Sequence, residues 1–243
     1  MGSALANAWE RATPWPAGWD VRFVAETGST NDDLGARAAE LPDGTVLAAG
    51  HQTAGRGRLG RRWEAPPGAN LLASILLRRP PSDPGELVRR VSLAAVDACR
   101  AVAGVEARLK WPNDVIVGDR KLAGVLAERH ASDVVVVGIG LNVGWAPDGA
   151  ARLGDDVDPA DVLAALLAAF DELPADVGPA YRAALDTLGR GVRVERADGD
   201  LVGTATDIEP DGRLVVVDGE GSTRHVSVGD VVHLWPRSRG EPP

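Results

Sequence analysis

The chain has 243 residues, 44% of them apolar and 25% charged, which suits one large soluble domain or a medium domain with a small companion. Its formal net charge of −9 argues against a general affinity for DNA or RNA. No apolar run reaches the roughly eighteen residues of a membrane span, and residues 1–20 lack the basic start and apolar core of a signal peptide. A single cysteine, Cys99, leaves no intrachain disulfide and reads as a small buried hydrophobe, so a cytoplasmic protein is the simplest account.

After an N-terminal extension (1–20), residues 21–26 (VRFVAE) read as a strand that ends in the polar turn 27–32 (TGSTND). Ser29, Thr30 or Asn31 can cap the helix expected over 32–41. A second strand spans 45–53 and feeds GRGRLGRRW (55–63). Residues 70–78 (NLLASILLR) read as a strand buried on both faces. Residues 84–104 open on proline, close on glycine and carry apolar residues at helical spacing. Val115–Val117 and the stretch from Leu122 form a hairpin about Gly118-Asp119-Arg120. Residues 133–143 (DVVVVGIGLNV) read as a strand whose internal glycines mark close approach of a ligand or another backbone. A second helical region covers 159–188. From 190 the chain changes to four or five short strands separated by DG, PDG and GEG turns, as in a small SH3-like barrel (190–236), followed by a flexible tail (237–243).

The loop 55–63 contains G-x-G-x-x-G, the dinucleotide fingerprint, which needs a strand before it and a helix after it. The strand is there, but Pro66-Pro67 stops any helix within a turn, so a Rossmann reading fails. What remains is a glycine-hinged loop, flexible on its own, carrying Arg56, Arg58, Arg61 and Arg62. Arginine grips phosphate or carboxylate through charge-assisted hydrogen bonds, and Trp63 offers a flat face for a nucleobase. Taken alone, the loop reads equally as a solvated basic turn.

Only two of the 26 basic residues are lysine, Lys110 and Lys121. Lysine is a compact point charge on a flexible stem, which arginine is not. A site that needs an ammonium accounts for both, and Lys121 beside a phosphoryl group would offset charge that builds up during transfer. Lys110-Trp111-Pro112-Asn113-Asp114 is stiffened by its proline and ends in two oxygen-bearing side chains suited to Mg²⁺ or a phosphate-bound water. It also fits a tight turn that starts a hairpin. His51, His130, His225 and His233 show no metal-ligand spacing and read as structural or exposed. No G-x-S-x-G elbow appears.

Ser29-Thr30-Asn31, HQTAGRGRLGRRW, KWPNDV, RKLAGVL and GIGLNV, in this order and spacing, resemble a biotin protein ligase over about residues 20–190. The resemblance implies an α+β catalytic domain (21–189) like that of class II aminoacyl-tRNA synthetases, with a mixed sheet backed by helices, and the small barrel also fits. It implies that Ser29, Thr30, Asn31, Gln52 and Gly124 bind biotin, with Arg56, Gly57 and Arg58 closing over it. Arg58 and Arg61 would reach the ATP phosphates, Trp63 the adenine, and Asn142 would border the adenosine. Asn113, counted with the ATP-binding residues, and Asp114 would serve Mg²⁺ or phosphate. Lys121, with Arg56 and Arg58, would carry the chemistry between the biotin carboxylate and the α-phosphate. The implied partner is the biotin carboxyl-carrier domain of an acyl-CoA carboxylase, and a monomer and a weak dimer both remain open. About twenty residues precede the first strand, leaving no room for a winged-helix domain, so neither repressor function nor DNA binding is expected. The rival readings are a lipoate or octanoate ligase of the same superfamily and a non-catalytic nucleic-acid binder.

Overall fold

The computed structural model describes residues 9, 14–78, 83, 85–131, 133–196, 199–227 and 229–235. The expected tail (237–243) and most of the N-terminal extension lie outside the described residues. The larger part is a seven-stranded mixed sheet in the order β1-β2-β3-β7-β6-β5-β4. Its strands are β1 (Asp20–Val24), β2 (Thr45–Ala49), β3 (Leu71–Arg78), β4 (Arg108–Lys110), β5 (Asp114–Val117), β6 (Arg120–Ala131) and β7 (Val134–Leu141). Only β1 and β2 run parallel; every other neighbouring pair is antiparallel.

Two helices, α2 (Gly85–Ala103) and α3 (Pro159–Asp171), cover one face of this sheet. Strand periodicity decides what they cover. Val46 and Ala48, Leu71, Ala73 and Ile75, and Val135, Val137, Ile139 and Leu141 point to that side, where they join Val91, Ala95 and Cys99 of α2 in the main core. Burial raises the Cys99 thiol to about 12, so the cysteine behaves as the expected small hydrophobe. The other face carries the short helix α1 (Thr30–Ala36), and Leu34 packs there with Leu47, Leu76, Val134 and Val136.

The helix expected over 32–41 is therefore earlier and shorter. Ser29 is the cap, its side chain accepting from the Asp32 amide at 3.4 Å. The chain leaves the helix after Ala36, just past Gly35, where an added Cβ would lie 2.0 Å from the His130 ring. The second helical region likewise divides, into α3 and α4 (Gly178–Ala184). Residues beyond 190 form a five-stranded antiparallel sheet, β11-β10-β9-β8-β12, built from β8 (Gly191–Glu195), β9 (Leu201–Ile208), β10 (Leu214–Asp218), β11 (Thr223–Val226) and β12 (Asp230–Trp235). Val192, Val194, Leu214, Val216 and Val231 of this sheet belong to the same apolar cluster as the main core, so the two sheets are packed together.

Candidate active site

The face of the large sheet opposite α2 and α3 is hollow, and the register explains why. Ser74 of β3, Gly138 of β7 and Leu126 of β6 lie side by side in one row. Leu72, Gly140 and Gly124 form the next row. Three glycines on one face leave a depression where other sequences would project side chains, and two are filled from above. A Cβ at Gly138 would lie 2.4 Å from Asn31 Oδ1, and one at Gly140 would lie 2.4 Å from Trp63 Cε2. The internal glycines of 133–143 thus mark close approach, but of the Asn31 and Trp63 side chains rather than of the ligand or backbone expected.

This depression is the floor of a cleft of about 560 Å³. The cleft brings together every residue singled out in the sequence: Ser29, Thr30, Asn31, Gln52, Arg56, Gly57, Arg58, Arg61, Trp63, Asn113, Asp114, Lys121, Gly124 and Asn142 all line it. One end is a buried polar network. The Thr30 amide donates to Gln52 Oε1 at 2.8 Å, and Thr30 Oγ1 lies 2.7 Å from Ser74 Oγ. Ser74 Oγ donates to Asn31 Oδ1 at 2.6 Å, and Asn31 Nδ2 donates to Glu128 Oε2 at 2.7 Å. Fixed donors and acceptors of this kind suit a ligand with a compact polar head.

The arginine loop closes over the cleft. It is more ordered than its glycines suggest: Trp63 N–H donates to Gly55 O at 2.9 Å and Gly57 N–H to Arg61 O at 2.7 Å, which makes a compact hairpin. A single 3₁₀ turn at Arg58–Gly60, with Leu59 at φ 57° and Gly60 at φ 71°, stands where a dinucleotide site would need an α-helix. Arg56 forks onto Asp32 at 2.7 and 2.5 Å and reaches Glu128 at 3.2 Å, which holds its guanidinium above the usual range. Arg58 lies 3.8 Å from Asp230 of the C-terminal sheet and donates to Asn113 Oδ1 at 3.4 Å, while Arg61 pairs with Asp230.

Lys121 Nζ sits 2.7 Å from Asp114 Oδ1 and 5.6 Å from the Trp63 ring centre, which joins the two ends of the cleft wall. Trp63 Nε1 is buried without a protein partner. Asn142 is buried and spends its amide on the fold: Nδ2 donates to Ala151 O at 3.0 Å and Oδ1 accepts from Asn70 Nδ2 at 3.3 Å. It borders the cleft as a strut for the loop after β7.

Ser74, Glu128, Asp32, Asp230 and Trp145 also line or frame the cleft and were not singled out in the sequence. Counting by twos from Gly138 along the paired strands would have found Ser74 and Glu128. Asp230 comes from a different sheet and has no such signal. The histidines stand apart from the cleft lining. His51 lies 3.0 Å from Glu26 and His225 2.9 Å from Glu209. His233 joins Asp119 and Asp186 in a cluster with metal-like spacing, but Arg190 pairs with both carboxylates and already supplies the cation.

The Biotin/lipoate A/B protein ligase family matches residues 22–143, and the biotin protein ligase C-terminal domain matches 187–234. The biotin–[acetyl-CoA-carboxylase] ligase of Mycobacterium tuberculosis is 43% identical over 90% of this chain and 91% of its own. The enzyme of the same description from Paracoccus denitrificans is 36% identical over 69% of this chain and 75% of its own. Among solved structures, the biotin protein ligase from Aquifex aeolicus in complex with biotin and ATP superposes with a TM-score of 0.75 at 26% identity, covering 88% of this chain and 97% of that one. The chain belongs to the biotin protein ligase family.

Proposed function

We propose that this protein adenylates biotin with ATP and then transfers the biotinyl group to a lysine of a carboxylase carrier domain. In the first step a biotin carboxylate oxygen attacks the α-phosphorus of ATP, and pyrophosphate leaves. In the second, the ε-amine of the acceptor lysine attacks the acyl carbon of biotinyl-5′-AMP; AMP leaves and the amine loses a proton. The observation that carries this reading is the two-ended cleft: a buried hydroxyl and amide network at one end, and arginines with an ammonium at the other, meeting over a glycine floor.

In this reading Ser29, Thr30, Asn31 and Gln52 hold the polar head of biotin, with Gly124 giving it room. Arg56, Gly57 and Arg58 cover it, and Arg58 and Arg61 exchange Asp230 for phosphate oxygens. Lys121 places its charge between the two reacting anions, where charge accumulates as the bond forms. Trp63 supports the adenine and Asn142 borders it. A hairpin closed over the cleft keeps water from the reactive anhydride. Asn113 and Asp114 offer hard oxygen donors at the cleft edge, beside Arg58 and Lys121. That set fits a Mg²⁺ ion that arrives with the triphosphate and keeps most of its other ligands from phosphate and water. Bound there, Mg²⁺ would supply neutralisation of phosphate charge.

The proposal assigns residues 21–189 to the biotin- and ATP-binding unit and 190–236 to an SH3-like unit. It places the protein in the cytoplasm without DNA binding, consistent with the net charge of −9. Pyrophosphate release from MgATP with biotin, octanoate or lipoate tests it. Release with biotin alone is expected; release with octanoate or lipoate in its place would move the chain to the other branch of the family.

A further inference from the structure

The turn that carries Asn113 and Asp114 is held from behind by residues beyond 180. Asp186 N–H donates to Leu109 O at 2.7 Å, Tyr181 Oη to Pro112 O at 3.3 Å and Trp111 Nε1 to Gly212 O at 2.9 Å. At the start of the turn, the Trp111 backbone amide donates to Thr187 Oγ1 at 3.0 Å. Thr187 is fully buried, and its Oγ1 lies 3.2 Å from His233 Nε2 on β12. We infer that His233 is a positioning residue of the ligase reaction, fixing the Asn113–Asp114 turn through Thr187 and the Trp111 amide. The inference rests on the ligase reading above and adds to it the part that β12 plays.

The proton inventory gives the relay a direction. Thr187 Oγ1 accepts from the Trp111 N–H, and its hydroxyl proton can be donated to His233 Nε2 when that nitrogen carries no proton. Burial, Arg190 and Lys110 lower the His233 pKa to about 4, so the ring is neutral at physiological pH and can accept. His233 does not line the cleft, whereas Asp230 and Val231 of the same strand do. One strand therefore both meets the arginine loop and anchors the turn opposite it. Without an acceptor at 233 the Thr187 hydroxyl must find another partner in a fully buried site, and the amide it orients is free to shift.

The test is pre-steady-state pyrophosphate release by the full chain at saturating biotin and MgATP, with burst amplitude counting folded sites and burst rate reporting chemistry. His233→Met removes the acceptor while filling the space; His233→Gln can return an oxygen near the position of Nε2. We expect the burst rate of His233→Met to fall roughly 10–100-fold, the scale for sub-ångström to ångström misplacement of reacting groups. Its amplitude and biotin affinity should stay within about twofold, and His233→Gln should recover to within about threefold, as the relay itself survives. A His233→Met rate within about twofold of wild type, or equal slowing by both variants, would overturn the proposal. Should His233→Met not fold, Thr187→Ser must keep the rate and Thr187→Val must lose it, and equal rates for that pair would overturn it. A wild-type chain with no biotin-dependent burst would instead overturn the ligase reading itself.

Discussion

Two glycines of β7, two residues apart and on the same face, separate the two halves of the cleft. A methyl group on Gly140 would lie 2.4, 2.6 and 2.8 Å from Cε2, Nε1 and Cδ2 of Trp63, where ordinary contact begins at 3.4 Å. Gly140 does not have a positive φ, so alanine is conformationally allowed, and the clash is with a side chain rather than with backbone. The indole must therefore move by about 1 Å, a displacement that can cost roughly 10²-fold in a positioned reaction, equivalent to about 2.7 kcal/mol. Gly140→Ala should thus raise the ATP concentration needed for half-maximal adenylation, or slow the step, by about that factor, while biotin binding changes less than about threefold. A methyl group on Gly138 would instead lie 2.4 Å from Asn31 Oδ1, where Ser74 now donates at 2.6 Å. Gly138→Ala should weaken biotin first. Biotin titration by calorimetry and single-turnover pyrophosphate release across ATP concentrations separate the two, with melting curves as the folding control. If the phenotypes are exchanged, Trp63 belongs to the biotin end and the division of the cleft is wrong.

Three further expectations follow from the same geometry. Lys121→Arg should lower adenylation by roughly 10²–10³-fold with little change in melting temperature, because a broad guanidinium cannot take the place of an ammonium 2.7 Å from Asp114 and beneath the Trp63 ring; near-normal single-turnover rates would refute the role of Lys121. Trp63→Ala should weaken ATP by about 1–3 kcal/mol and biotin by less, and calorimetry with the reverse order would reassign the residue. His233 has a folded-state pKa of about 4, below its ordinary value of 6.5, so the folded state prefers the neutral ring. The stability this contributes is present above pH 6.5 and is lost as pH falls toward 4. His233→Gln should flatten that part of the pH–stability curve relative to wild type, and identical curves would show that His233 is not buried neutral.

The residues of the cleft were legible in the sequence to different degrees for physical reasons. The strand 133–143 announces itself by β-branched residues, and its glycines are informative because only close approach explains them there. Loop 55–63 shows its charge and its lack of a following helix, but not its hairpin hydrogen bonds, which depend on Trp63 and Arg61 folding back onto Gly55 and Gly57. The overrun of the first helix has a tertiary cause: residues 37–41 are good helix formers, yet the chain turns after Ala36, and Leu41 packs beside Leu34 from the turn. Ser74 and Glu128 share a sheet face with Gly138 and follow from strand alternation, but their bonds to Asn31, on a helix far away in the chain, do not. Asp230 and His233 lie further still from view, since Asp230 meets Arg58 and Arg61 of the distant arginine loop and His233 meets Thr187 outside its own sheet.

The central claim is that one cleft makes an activated biotin and hands it to a lysine. Incubating the protein with biotin and MgATP, then adding a biotin carboxyl-carrier domain and measuring intact mass at each stage, tests it most directly. The account predicts biotinyl-5′-AMP retained by the protein in the first stage and a single biotinyl addition to one carrier lysine in the second, with Lys121→Arg blocked at the first. A carrier domain that remains unmodified while wild-type protein retains no adenylate, under conditions where the protein is folded, would contradict it.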